Sequence, residues 1–195
     1  MSRGHLLLAA LLLVACDKPK EPERSSPPAS PHASTGASAP LGTGATPAGA
    51  REVTWEAPAS WTKVDNPSPM RKATYRVPRA GGDAEDAELT VSQAGGSVDQ
   101  NLARWAGQLG KKAEDAKREK KRVAGLDVTV VEIHGDYAGM TMPGAPPSEK
   151  KAGYALLGAI VETTPPTFFK LVGPDKTVLA ARADFDRFID ALKAK

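Results

Sequence analysis

Ten residues in the C-terminal half of the chain, YALLGAIVET at positions 154–163, are almost entirely apolar. A half-buried strand alternates apolar and polar side chains, whereas a run that does not alternate needs cover on both faces. This segment is therefore expected to be a central strand with a layer of structure on each side. The TPP that follows is a turn signal, so TFFKLVG (167–173) is expected to return beside it as a hairpin.

Other segments fit the same picture. TYRVP (74–78) and AELTVSQ (87–93) alternate at period two, with Tyr75, Val77, Ala87, Leu89 and Val91 on one side. GLDVTVVEIHG (125–135) is rich in β-branched residues and reads as a longer strand. In SVDQNLARWAGQL (97–109), Val98, Leu102, Trp105, Ala106 and Leu109 share one helical face. Ser97 and Gln100 have capping-box spacing there, and Gly110 suits the C-terminal end. A final helix is expected from about Asp175 to Lys193, turning Val178, Ala181, Phe185, Phe188, Ile189 and Leu192 inward. The order is three strands, a helix, four strands and a helix. It predicts an α+β fold with an antiparallel sheet packed against helices.

The first 50 residues are expected to stand outside that fold. MSRGHLLLAALLLVAC has a positive start, a nine-residue apolar run (6–14) and small Ala15 before Cys16. This is the layout of a secretory signal, too short for a membrane span of about 20 residues. Leu13-Val14-Ala15-Cys16 resembles the lipobox of bacterial lipoproteins. That resemblance implies cleavage after residue 15 and acylation of Cys16, and thus a membrane partner reached through lipid. Several acyl chains are needed for firm anchoring, at about 0.8 kcal/mol per buried CH₂. Asp17 resembles an inner-membrane retention signal of enteric bacteria, and the sequence leaves inner and outer membrane both open. From residue 17 to 50 the chain is dominated by Pro, Ser, Ala, Gly and Thr, a composition that cannot bury enough apolar surface to offset chain entropy. It is expected to be a disordered tether with a reach of roughly 30–35 Å. The organisation is thus a signal peptide (1–15), a lipidated N-terminus with tether (16–50) and one globular domain (51–195).

The whole-chain charge of +3 says little about partners. The tether balances its own charges and the domain is only slightly basic, which is no nucleic-acid footprint.

The order of features W-x-x-P-x-x-W (Trp55, Pro58, Trp61), MRKATY and AELTVSQAGGSVDQNLARWAGQL is similar to uncharacterised bacterial lipoproteins of the PsbP/Mog1-like fold group. The stretch from Tyr154 to Leu192 carries the same resemblance. It implies an α/β/α sandwich around a mainly antiparallel sheet. Characterised members of the group bind partners, a small GTPase for Mog1 and photosystem components for PsbP. Neither suits an envelope lipoprotein, so the resemblance implies a fold more than a task.

Residues 51–195 contain no cysteine and one histidine, His134, which excludes thiol catalysis and cysteine-ligated metals from the domain. A serine triad would have to combine His134 with Asp136 or another carboxylate and Ser60, Ser68, Ser92, Ser97 or Ser148, and no nucleophile-elbow motif accompanies them. No catalytic set, metal centre or cofactor is assigned. GGDAEDAE (81–88) lacks EF-hand spacing and reads as a solvated hairpin turn. Gly95-Gly96 reads as a tight turn before the helix. Met140 and Met142 are soft ligands near His134 in sequence, against the plainer reading of a loop covering a core edge. The segment 111–122 has net charge +4 and contains Lys117, Arg118, Lys120, Lys121 and Arg122. It could graze anionic headgroups, or be a strand edge whose lysines discourage pairing. The loop 136–152 is the first place to look for a partner site. The expectation is a membrane-anchored, exported lipoprotein of the cell envelope that serves as a non-catalytic binding or accessory module with an unidentified envelope partner. The alternative is a small-ligand carrier or enzyme with its site around His134 and the 136–152 loop.

Overall fold

The computed structural model of the chain describes residues 52–66, 68–139 and 149–195. The expected signal segment, Cys16, the expected tether, Met140, Met142 and Ser148 therefore lie outside the described residues.

Seven strands form one sheet in the spatial order β2 (Thr62–Val64), β3 (Arg71–Val77), β4 (Ala87–Gln93), β8 (Thr167–Pro174), β7 (Lys151–Val161), β6 (Leu126–Tyr137), β5 (Lys117–Val123). Every neighbouring pair is antiparallel. The apolar run that opened the sequence reading is β7, flanked by β6 and β8, and its buried residues alternate between two separate clusters. Ala155, Leu157, Ala159 and Val161 enter one; Tyr154, Leu156 and Ile160 enter the other. Cover on both faces is what its lack of polar alternation required.

On one face lie α2 (Asp175–Ala180) and α3 (Arg182–Asp190), which insert Val178, Phe185, Phe188 and Ile189. The W-x-x-P-x-x-W segment joins them. Trp55 meets Phe169 edge-on at 5.5 Å, Trp61 meets Phe188 at 5.4 Å, and Trp55 Nε1 donates to the Tyr75 hydroxyl at 3.1 Å. The motif is thus a packing device. On the opposite face α1 (Val98–Gln108) sets Leu102, Trp105, Ala106 and Leu109 on β6, β7 and β8. The result is the expected α+β sandwich.

Local signals at α1 read correctly. The Ser97 hydroxyl accepts from the Gln100 amide at 3.2 Å and the Gln100 side chain accepts from the Ser97 amide at 2.9 Å. Gly110, at φ +67°, ends the helix while Lys111 N donates back to Ala106 O.

The C-terminal helix departs from expectation. Instead of one helix to Lys193 there are two, broken at Ala181, and the chain then turns into β9 (Lys193–Ala194), which pairs antiparallel with β1 (Val53–Thr54). The inward pattern survives the break, because Ala181, Phe185, Phe188, Ile189 and Leu192 are all buried. What the pattern could not show is that the last backbone groups find strand partners in the first described segment, Lys195 N donating to Glu52 O at 2.7 Å. A second departure concerns 81–88. It is a hairpin turn, but one pinned to the fold. The Asp83 carboxylate accepts from the Thr177 amide at 2.9 Å and its hydroxyl at 2.6 Å, capping α2, whose own N-cap Pro174 offers no side-chain bond. The cap comes from 94 residues away.

Candidate functional site

The apolar cluster under α1 takes no buried residue from β3 or β4. On that side of the sheet the outward positions of these strands are polar, and a cleft of about 300 Å³ opens there. Strands β4 and β8 contribute Glu88, Thr90, Lys170, Val172 and Gly173; β6 and β7 contribute Tyr137, Lys151 and Tyr154. Arg71 from β3 and Glu85 and Asp86 from the β3–β4 turn complete it.

Most of these charges are satisfied. Arg71 Nη1 lies 3.1 Å from Glu88 Oε1. Glu85 accepts from Lys151 Nζ at 2.7 Å and from the Tyr154 hydroxyl, and these donors hold its carboxyl below the ordinary value. The same bond to Glu85 raises Lys151 above its ordinary value. Asp86 accepts from the Arg79 amide at 3.0 Å and sits 3.7 Å from Arg76. Tyr137 and Tyr154 stack with centroids 5.6 Å apart, and burial raises both phenols.

Lys170 is the exception. It is half-buried, its ammonium donates to the neutral Gln108 amide at 3.2 Å, and among the described residues it has no carboxylate within ion-pair distance. Loss of solvation, followed by repulsion from Arg71, lowers it to about 8, against an opposing pull from Glu88. Arg104, which contributes further repulsion, bonds to Asn101 on α1. A polar strip of Asn101, Arg104 and Gln108 thus runs along α1 beside the apolar one.

His134 lies on β6, where Nε2 contacts Glu132 Oε1 at 2.8 Å and Nδ1 contacts the Asp175 carboxylate. Glu132, only 11% exposed, also accepts from Arg182 Nη1 at 2.7 Å and lies 3.7 Å from Lys117. Glu132 first, and Asp175 with it, raise the histidine above its ordinary value. An imidazole between two carboxylates has its cationic form favoured, and both ring nitrogens are engaged. Ser60, Ser68, Ser92 and Ser97 make no bond to it, and Ser97 is already the helix cap.

The basic segment forms the sheet edge β5. Its charges are largely spoken for: Arg118 pairs with Asp99 at 3.0 Å, Lys121 with Asp190 at 2.6 Å, Arg122 with Asp127 at 3.5 Å and Lys117 with Glu132. Lys120 has no ion pair among the described residues. The edge is therefore less positive than its sequence.

Sequence reasoning missed Arg71, Glu88, Tyr154 and Lys170, because the cleft gathers its residues from five strands. One signal was available: Lys170 interrupts the otherwise apolar TFFKLVG. The described ends of the 136–152 segment, Tyr137 and Lys151, line the cleft.

No protein-family model matches the chain, and no curated protein matches it either. Among solved structures, the chain is similar to PA94, a protein of unknown function from Pseudomonas aeruginosa, at 13% identity over 60% of this chain and 78% of that one, with a TM-score of 0.43. It is also similar to CyanoP, the cyanobacterial PsbP of Synechocystis sp. PCC 6803, at 12% identity over 79% of this chain and 98% of that one, with a TM-score of 0.42.

Proposed function

We propose that this chain is a lipid-anchored lipoprotein of the bacterial envelope whose PsbP/Mog1-like domain, on a tether, acts as a non-catalytic binding module. The observation that carries the binding reading is the cleft: an open, polar concavity on the sheet, lined in part by Tyr137 and Lys151. The anchoring part rests on Leu13-Val14-Ala15-Cys16 at the end of an apolar run, followed by a stretch dominated by Pro, Ser, Ala, Gly and Thr. The cleft favours the small-ligand form of this reading over an enzyme centred on His134, whose ring nitrogens are both engaged by carboxylates.

Metabolic labelling with a fatty acid, followed by fractionation, tests the anchor. The wild-type chain takes up label and sediments with membranes, while Cys16→Ser does neither. Unchanged fractionation of Cys16→Ser would overturn the lipoprotein assignment.

A further inference from the structure

We propose that the cleft binds a small organic carboxylate, anchored by the Lys170 ammonium and enclosed by the Tyr137–Tyr154 stack; this rests on the binding-module reading and names the ligand class. Lys170 is the cationic residue of the lining that lacks a carboxylate partner among the described residues, and its one hydrogen bond goes to a neutral amide. Its neighbours make that condition costly. Arg71 and Arg104 repel it, and the opposing Glu88 is already bonded to Arg71. A half-buried ammonium left short of counter-charge gains most from an anion that brings its own.

The sign and size of that anion follow from the rest of the lining. Glu85, Asp86 and Glu88 also face the cleft, each already held by a donor or cation. A dianion such as phosphate would leave excess negative charge beside these three carboxylates. A monoanionic carboxylate matches the single uncompensated ammonium. A space of about 300 Å³ lies at the small end of ligand sites, so the molecule is of metabolite size.

The proposal carries a pH signature. Glu85 is held below its ordinary value of 4.5, and Lys151, Tyr137 and Tyr154 are raised above ordinary values of 10.5, 10.0 and 10.0, so all four titrate away from Lys170. Arg71, Arg104, Asp86 and Glu88 are the other charged groups around the site, and Gln108 faces Lys170 without a charge. Lys170, at about 8, is the group whose titration is centred between pH 7 and 9.5. Because the ligand binds the protonated lysine, affinity falls about tenfold per pH unit above the lysine's own titration.

The test is NMR of the full chain in detergent micelles with ¹³C-labelled lysine, titrated with the monoanions acetate and butyrate and, separately, inorganic phosphate. The expected result is a Lys170 Cε resonance that titrates near 8 in the free protein and moves upward with saturating carboxylate, with phosphate binding more weakly. Lys170→Met loses the binding; Lys170→Arg keeps it and removes the pH dependence between 7 and 9.5. A Lys170 signal that ignores carboxylates, a wild-type affinity flat from pH 7 to 9.5, or tighter binding of phosphate would each overturn the proposal. Tighter binding of phosphate would overturn the carboxylate and leave a binding cleft standing, whereas a Lys170 signal that ignores every anion would count against the cleft as a binding site, so the two readings fail separately.

Discussion

Gly158 on β7 stands opposite Lys170 in the sheet register, and its missing side chain is what admits Trp105. A Cβ built there would lie 2.3 Å from the indole ring and 2.9 Å from Val131 Cγ2. Trp105 is buried against Phe168, with ring centroids 5.9 Å apart, so it has little room to retreat. Gly158→Ala should therefore destabilise the domain by about 1–3 kcal/mol, read as a lower urea midpoint. An unchanged midpoint would mean that α1 shifts freely on the sheet. At this scale sequence legibility is uneven. The buried faces of β3 and β4 could be read from alternation. The role of Gly158 could not, since a glycine in a strand looks the same whether it faces solvent or an indole.

Among elements, α1 is the one most fully written in its own residues. Cap, apolar stripe and terminal glycine are all local, and all three are found where spacing put them. Ser97→Ala should cost about 1 kcal/mol and raise amide exchange in the first turn of α1, whereas Ser92→Ala should leave that turn unchanged. Exchange that does not respond to Ser97→Ala would show that packing alone holds the helix start. The C-terminal helices are the contrasting case. Their inward stripe was legible, yet the break at Ala181 and the cap from Asp83 were not, because both depend on partners remote in sequence. Strand β5 shows the same limit for charge. Five basic residues in β5 read as a basic strip, and the ion pairs to Asp99, Asp190, Asp127 and Glu132 that offset it come from other elements.

Over the whole molecule, the His134–Glu132–Arg182–Asp186 network ties the sheet to the helices packed on it. Its histidine is raised in the folded state, so its contribution is fully present below the ordinary histidine value of 6.5 and disappears as pH rises through the higher folded value. Glu132 is lowered, so its own contribution persists across that range and is lost only on acidification below its ordinary value. His134 is 42% exposed, which limits the effect to about 1 kcal/mol or less. The stability difference between wild type and His134→Ala should be larger at pH 6 than at pH 9 by thermal or urea unfolding. A difference independent of pH would mean the ring contributes by packing rather than as a cation.

The sequence by itself determined the class of fold, because hydrophobic periodicity is a local property that each strand and helix carries alone. It determined that a run apolar on both sides must lie in the middle of the sheet. Only the tertiary structure decided where the chemistry gathers. The helix α1 covers β6 to β8 and leaves β3 and β4 bare, and that partial cover makes the cleft. It places Lys170 with a neutral amide in place of a carboxylate, and puts His134 between two acids. Desolvation and Coulomb interactions depend on distance in space, and residues 71, 104 and 170 become neighbours only once the sheet has formed.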